Sequence, residues 1–446
     1  MNFILEPKKQ IPICEDVDLF VAGGSCTGVF AAVRAARLGL KVCLVERQNC
    51  LGGMATAALV NVWHSFKDID YKNQVIAGLT EEVTERLVKA NAAELLDDPS
   101  LAVQFDPYRL MYELDKLVLE EKIIVYFHTL CVGAVTDGKD ITAALIENKD
   151  GRRAIKAKFF VDATGDGDLA KYLEMPIYRR EVVQPPTPCY IMHGAIKEQE
   201  VQRLIKEHGE EFNLPDDFGW CSDLPGFNKD FSLQANFHIF DVDCANAKDL
   251  TFAEMESRRK IYALMDLLKK YSSNKHIVAS LCSLIGIRES NHFETLYKAK
   301  GWDLLLGKRY DDAILNGTYR VDMHDLEGTV TFMYLNGYAI NMKGATRESK
   351  EWDWRKEKGL DNNYTKYYQV PFKLLQQDKY NNFIAAGRML NADDMGFGAL
   401  RVMVNLNQLG EAAGTAAYIA LNQNKAVKDI DGIKVRELLI KGGSAL

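Results

Sequence analysis

The chain lacks any organised set of cysteines. Nine stand at positions 14, 26, 43, 50, 131, 189, 221, 244 and 282, an odd number whose closest pair is seven residues apart. There is no CxxC to act as a local redox dithiol, and no cysteine run to ligate zinc or an iron–sulfur cluster. No metal site is expected, and most of the thiols read as small buried hydrophobes. The chain also lacks an apolar run of 18 residues, so no membrane-spanning helix is expected. It has no excess of basic residues. The formal net charge is −7, which argues against nucleic acid or an anionic membrane as a partner. The first residues carry Glu6, Lys8 and Lys9 and no long apolar core, so a cytoplasmic location is expected in place of secretion. Repeats and low-complexity tracts are missing too.

What is present is a long globular chain, 446 residues at 47% apolar and 26% charged, enough for about two to three domains with sizeable cores. It is organised around residues 17–46. An apolar run from Val17 to Ala22 meets the turn Gly23-Gly24-Ser25-Cys26-Thr27-Gly28. A helix-patterned stretch follows, Gly39 stops it, and a second apolar run ends at Glu46. Strand, tight glycine loop, helix, strand and acid in this order form a dinucleotide-binding βαβ unit. The loop amides and the helix N-terminus would hold a pyrophosphate, and Glu46 would accept hydrogen bonds from ribose hydroxyls. The loop reads GxSxxG, with Ser25 where the usual pattern has its middle glycine. Arg47 follows the acid, and the pair Gly52-Gly53 shortly after lets backbone approach the same ligand.

Further along, residues 74–97 read as an amphipathic helix. Asp106-Pro107 opens another, to about residue 121. Three strands with Asp-Gly turns then form a β-meander up to the small-residue turn at 161–168. The segment 176–285 is less regular, with a strand at 233–240 and a long helix at 251–271, and reads as an inserted substrate-side domain. The charged, aromatic stretch 345–368 reads as a solvated helix and loop. A strand at 382–386 leads through Gly396-Phe397-Gly398 to a helix at 401–421 rich in glycine and alanine.

Six segments, taken together and in order, resemble the FAD-dependent oxidoreductase family that shares the glutathione-reductase-type FAD domain and is related to heterodisulfide reductase A-type flavoproteins. They are the loop at 23–28 with Glu46, LGGMAT at 51–56, VDATGDGDLA at 161–170, IGIRES at 285–290 with YRVDMH at 319–324, NFIAAGRML at 382–390, and GEAAGTAA at 410–417. The resemblance implies an α/β fold: a Rossmann-like FAD-binding domain with a β-meander (1–172 and 375–446), plus an inserted α+β substrate or cap domain (173–374). It implies FAD as cofactor. The implied contacts are Gly23, Gly24, Ser25, Thr27, Gly28, Glu46, Arg47, Gly52, Gly53, Met54 and Thr56, then Ala163, Thr164, Gly165 and Asp166, and finally Gly387, Arg388, Gly398, Arg401 and Val402. The N-terminal end of the last helix would face the flavin's pyrimidine edge, where its dipole favours negative charge. There is no second glycine-rich βαβ unit for a nicotinamide nucleotide, and no cluster cysteine of the kind some relatives carry.

The candidate catalytic residues are His324, Arg288 and Arg388, with Glu289 and Arg401 beside them. Asp322 and His324, two apart on a strand, share a face, so the carboxylate would fix the imidazole tautomer and raise its basicity. That makes His324 either a general base or a satisfied structural histidine. Arg388 either holds the flavin or a substrate oxyanion, or sits in a buried ion pair. His64 is a weaker candidate, and His193 and His238 are passed over. Cys26 and Cys50 are either buried thiols or covalent flavin anchors. The expected reaction is hydride transfer between FAD and a small polar substrate, hydroxyl-bearing and carbohydrate-like. Alternatives are reduction of an activated C=C bond in a carboxylate, and an electron-transfer subunit working with a partner protein. Besides the small-molecule substrate, an unidentified electron acceptor and self-association remain open as partners.

Overall fold

A computed structural model describes residues 4–96 and 102–446. At its centre is the strand Ile13–Ala22, whose inner half (Leu19 to Ala22) is fully buried on both faces. A strand covered on both sides needs a continuous apolar run, which is what this segment supplies. Val42–Val45 pairs parallel on one side and carries Ile124–Tyr126 beyond it. Gly151–Asp162 pairs parallel on the other side and is the last strand of an antiparallel meander with Leu130–Asp137 and Asp140–Asn148. Phe383–Ala385 adds in parallel to Gly151–Asp162, completing a seven-stranded sheet. This is the expected α/β arrangement, Rossmann-like with a meander. The α+β elements lie in the sequence between Asp162 and Phe383.

The helix Cys26–Arg37 starts where Ser25 caps it, Oγ accepting from Gly28 N. The helix Met403–Gln423 lies directly against it. A Cβ on Gly410 would collide with the Thr27 carbonyl, and one on Gly414 with the Ala31 carbonyl. The alanine- and glycine-rich composition of 410–417 is therefore the condition for backbone-to-backbone packing of these two helices. Arg34 and Glu411 form an ion pair within this contact, both side chains at most 5% exposed. Glu411 also accepts from Leu79 N at 3.0 Å, and Arg34 donates to the Gly442 carbonyl at 2.9 Å. One buried pair thus ties two core helices to a third helix and to the C-terminal segment. Burial pushes the Glu411 carboxyl up, against the pull of Arg34.

Two antiparallel four-stranded sheets stand over the C-terminal edge of the parallel strands. One is Trp220–Asp223, Phe231–Ala235, Tyr190–His193 and Ile277–Leu281, backed by the helices Glu198–His208 and Ala247–Tyr271. The other is Val321–His324, Val330–Met333, Tyr338–Lys343 and Glu348–Asp353. Residues Leu304, Val321, Val370 and Phe372 share one apolar core with Leu19, Phe30 and Leu409. Among the described residues no helix is long and apolar enough to cross a membrane.

Several expected elements are corrected. The helix expected at 74–97 is confined to Leu79–Lys89, because Gly78 adopts a positive φ at its start and Ala93–Leu95 pairs with Val103–Phe105. The end of the expected helix, at residue 97, lies outside the described residues, as do residues 1–3. The stretch 345–368 is not a solvated helix. Glu348–Asp353 is an edge strand, and Trp354, 2% exposed, anchors it in the core. The strand at 233–240 shortens to Phe231–Ala235, and the helix at 251–271 starts earlier, at Ala247, capped by the Asn246 side chain. Gly396-Phe397-Gly398 lies inside the helix Asp394–Leu400, and the next helix starts at Met403.

Removing one partner of a buried ion pair leaves the other charge without compensation. Arg34→Ala is expected to destabilise the fold by about 3–5 kcal/mol, and Arg34→Met with Glu411→Leu to recover most of that loss. Urea unfolding of the three proteins checks this; equal losses in the single and double variants would contradict it.

Candidate functional site

A single cavity of about 550 Å³ runs from the glycine loop at 23–27 to the sheet that carries His324. At the loop end, Gly23 has φ +95°, and a Cβ there would strike the backbone of Ala163 and Thr164. Only glycine lets these two strand ends meet. Ser25 fills the place of the usual glycine with its side chain turned into the fold: Oγ donates to the Ala163 carbonyl at 3.1 Å and accepts from Gly28 N at 3.3 Å. Its hydroxyl thus serves as cap and clamp. Glu46 accepts from Gly24 N at 2.6 Å through one oxygen and from Gln48 N at 2.8 Å through the other. Both oxygens keep a further lone pair for a ligand hydroxyl.

The turn after the meander is held by Asp162, which accepts from Thr164 N, Thr164 Oγ1 and Ala170 N at 2.7–3.0 Å. Full burial raises its carboxyl to about 6 despite those donors. Asp166 is buried beside Arg388, in an ion pair, and Arg47 lies 3.6 Å away. Burial alone would raise the Asp166 carboxyl; the two guanidinium groups override it and hold it below the usual range.

Most of the expected contacts meet at this cavity. Gly23, Ser25, Thr27, Glu46 and Arg47 line it, as do Gly52, Gly53 and Met54. So do Ala163, Thr164, Gly165, Gly387, Arg388, Arg401 and Val402. Five expected contacts do not line the wall and act behind it. Gly24 donates to Glu46. Gly28 is pressed on the Gly23 carbonyl, where any side chain would collide. Thr56 donates to the Leu51 carbonyl at 2.6 Å, fixing the Gly52-Gly53 turn. Asp166 binds Arg388. Gly398 packs on the backbone of Asp322. Cys26 is buried with its thiol 3.6 Å from the Gly52 carbonyl, and Cys50 is buried near Thr56.

The far end of the cavity gathers the candidate catalytic groups. His324 Nε2 lies 3.0 Å from Asp322 Oδ1, as their shared strand face predicts. Asp322 Oδ2 accepts from Tyr319 Oη at 2.6 Å and lies 2.9 Å from Arg401 Nη2. Burial works against ionisation of Asp322, but Arg401, His324 and Arg320 hold its carboxyl well below the usual range. The expectation that Asp322 would make His324 more basic fails. Burial, helped by Arg288 and His238, outweighs the carboxylate and depresses the His324 imidazole to about 3. Arg288 faces the cavity, donating to the Pro185 carbonyl at 2.7 Å and to Thr187. Burial and Arg401 lower it to about 10, so it stays cationic at neutral pH. Glu289, on the opposite side of the chain, is withdrawn into a network with Arg180 and His292. Arg388 is in the buried ion pair and also lines the cavity. His64 lines the wall with its ring 4.2 Å from that of Tyr319.

Sequence reasoning missed His238 and Asp217. His238 Nδ1 lies 2.9 and 3.1 Å from the two Asp217 oxygens, and its ring centroid is 4.9 Å from that of His324. The signal available was a histidine set into the apolar run Phe237–Phe240, since a polar residue in such a run must find a buried partner. Asp217, 21 positions away, gave none.

The walls fit an FAD on this chain's own terms. Four residues that line the cavity have fully buried polar atoms without a hydrogen-bond partner: His238 Nε2, Arg388 Nε, Arg401 Nε and Asn407 Oδ1. Buried polar atoms left unpaired are costly, and here they converge on one space. Val402, Met403, Leu406 and Asn407, from the N-terminal end of the helix Met403–Gln423 and its cap, also line it, so the positive end of that dipole faces the cavity.

Loop, ribose acid and helix placement define a dinucleotide-binding flavoprotein. The family model described as FAD dependent oxidoreductase matches residues 18–439, and the chain belongs to that family, with FAD as its cofactor. Over 157 residues it is 28% identical to mitochondrial dihydrolipoyl dehydrogenase of Macaca fascicularis, and 27% to that of Homo sapiens. These matches cover 34% of this chain and 28% of those proteins. Among solved structures it is similar to a geranylgeranyl bacteriochlorophyll reductase-like protein from Thermoplasma acidophilum, at 11% identity and TM-score 0.46, covering 96% of this chain and 82% of that one. It is also similar to a p-nitrophenol 4-monooxygenase from Pseudomonas putida DLL-E4, at 9% identity and TM-score 0.41, covering 96% and 84%.

Two outcomes are expected. Glu46→Ala removes the carboxylate expected to accept from the ribose and should weaken FAD retention about tenfold or more, read by fluorescence of the flavin lost on gel filtration. Unchanged retention would remove Glu46 from the site. The second concerns pH. The His324 pKa falls from 6.5 unfolded to about 3 folded. The unfolded chain therefore takes up a proton below 6.5 that the folded chain refuses, so the His324 contribution is complete above 6.5 and is lost as pH falls. His324→Gln should lessen the drop in stability between pH 7.5 and 5 by about 2 kcal/mol, read by denaturant titration at both pH values. An identical drop in the variant would contradict the neutral, buried state.

Proposed function

We propose that the protein oxidises a small, polar, hydroxyl-bearing organic compound, carbohydrate-like in its polarity, with transfer of a hydride to FAD. The observation that carries this reading is the pairing, at one end of the flavin cavity, of two imidazoles that each have their own carboxylate: His238 with Asp217, and His324 with Asp322. A substrate hydroxyl needs a hydrogen-bond acceptor that takes its proton as the carbonyl forms. The surrounding wall also carries charged side chains. Arg288, Arg320, Arg347 and Glu198 line it with Trp220 and Phe332, charged groups for hydroxyls and flat rings for the C–H faces of a polyol.

Bound FAD supplies the two-electron acceptor. The chain's own residues do the rest. The loop amides and the start of the helix Cys26–Arg37 would hold the pyrophosphate, and Glu46 the ribose. The first turn of Met403–Gln423 favours negative charge at the cavity wall. Asp322, kept ionised by Arg401, orients His324. In this reading residues 1–172 and 375–446 form the flavin domain and 173–374 the substrate domain. In support, Asp217, His238, Arg288, Asp322 and His324 all fall in the second range.

Anaerobic incubation of the yellow protein with a panel of sugars, sugar acids, polyols, hydroxy acids and unsaturated acids tests this. Loss of the 450 nm flavin band is expected with one or more hydroxyl compounds. Reduced flavin reoxidised by the unsaturated acids, with no bleaching by any hydroxyl compound, would replace this reading with reduction of a C=C bond.

A further inference from the structure

We propose that His238, which no motif marks, is the catalytic proton acceptor through its Nε2, with Asp217 as its positioning carboxylate, and that His324 serves only as a second hydrogen-bond acceptor. The assignment rests on the hydroxyl-oxidation reading above and deepens it. It predicts a substrate that presents two neighbouring hydroxyls, one to each ring.

The tautomers follow from the partners. Asp217 also accepts from His238 N at 2.7 Å, and its hydrogen bonds to His238 together with the Lys260 cation hold it below the usual carboxylate range although burial opposes this. A carboxylate can only accept, so His238 Nδ1 carries the hydrogen and Nε2 the lone pair. That Nε2 is fully buried, has no hydrogen-bond partner, and belongs to a residue that lines the cavity. On the neighbouring strand the ring is held the other way round. His324 Nε2 faces Asp322, so it carries the hydrogen and Nδ1 carries the lone pair. Two lone pairs, on rings 4.9 Å apart, thus serve one space.

Which ring takes the proton is decided by the neighbouring charge. At His324, Asp322 is already shared with Tyr319 and Arg401, and Arg288 opposes a further cation. At His238, Asp217 presents both oxygens to Nδ1. The facing cation is Lys260, whose Nζ donates to the His238 carbonyl at 3.0 Å. An imidazolium is better compensated at His238. The step balances as follows. The substrate O–H proton goes to His238 Nε2, the C–H hydrogen leaves with its bonding pair to FAD, and the C–O bond becomes C=O. His238 then returns the proton to solvent.

The test uses the holoenzyme and two measurements. In the wild type, ¹⁵N NMR of labelled histidines should show the Nδ1–H tautomer for His238 and the Nε2–H tautomer for His324; the Nε2–H tautomer at His238 would overturn the assignment. In stopped-flow reduction by D-gluconate, myo-inositol or another panel compound that bleaches the wild type, His238→Asn should be slowed about 100-fold or more with FAD retained. Added imidazole should restore His238→Ala at least about tenfold, while His324→Asn should mainly weaken substrate binding. An unchanged reduction rate in His238→Asn would also overturn the assignment while leaving hydroxyl oxidation standing. If no hydroxyl compound bleaches the wild type, the substrate reading falls, and the tautomer measurement alone decides whether His238 is an acceptor.

Discussion

What this molecule can do with a cofactor depends on how closely other backbone can approach the first turns of the helix Cys26–Arg37. Gly28 sits against the Gly23 carbonyl, Gly23 against Ala163 and Thr164, and Gly410 and Gly414 against the carbonyls of Thr27 and Ala31. Each contact is one that a Cβ would break. Together they bring the glycine loop, the turn after the meander and the start of the helix Met403–Gln423 to one cavity wall. Two helix N-termini consequently face the same space, which suits a ligand with negative charge at two points along its length. The buried Arg34–Glu411 pair locks this contact from behind.

The other end of the cavity is governed by a different constraint, the difficulty of keeping charge away from water. Asp322 remains a carboxylate because Arg401 and Tyr319 compensate it, and Asp166 because Arg388 and Arg47 do. The His324 imidazole, which can shed its charge, does so: it is depressed to about 3. A site assembled this way has fixed ions behind it and imidazole acceptors in front. That division favours the binding of hydroxyls and leaves room for one transferred proton.

Legibility followed the range of the interactions. The βαβ unit, the meander and the glycine-rich last helix were readable because strand, turn and helix chemistry is local, and because Gly28, Gly410 and Gly414 occur where side chains are forbidden. Ser25 looked like a defect in the loop, yet it caps the helix and clamps Ala163, a role set by a residue 138 positions away. The stretch 345–368 misled because its charges lie on an exposed edge strand, where alternation is weak, while the single buried Trp354 anchors it to the core. His238 was passed over for a similar reason. Its meaning comes from Asp217 and from His324, which lie 21 and 86 positions away and meet it only in the fold. Asp322 and His324 were correctly joined, but their basicity was misjudged, since burial does not show in a spacing of two.

The central claim is that one cavity, from the loop at 23–28 to the first turn of Met403–Gln423, holds FAD. Titration of the flavin-free protein with FAD, followed by quenching of flavin fluorescence and by equilibrium dialysis, tests it most directly. The account predicts uptake of one FAD per chain, abolished when Gly28→Val forces the helix away from Gly23 in a protein that still folds by circular dichroism. No uptake by the wild-type chain, or equal uptake by the Gly28→Val protein, would contradict it.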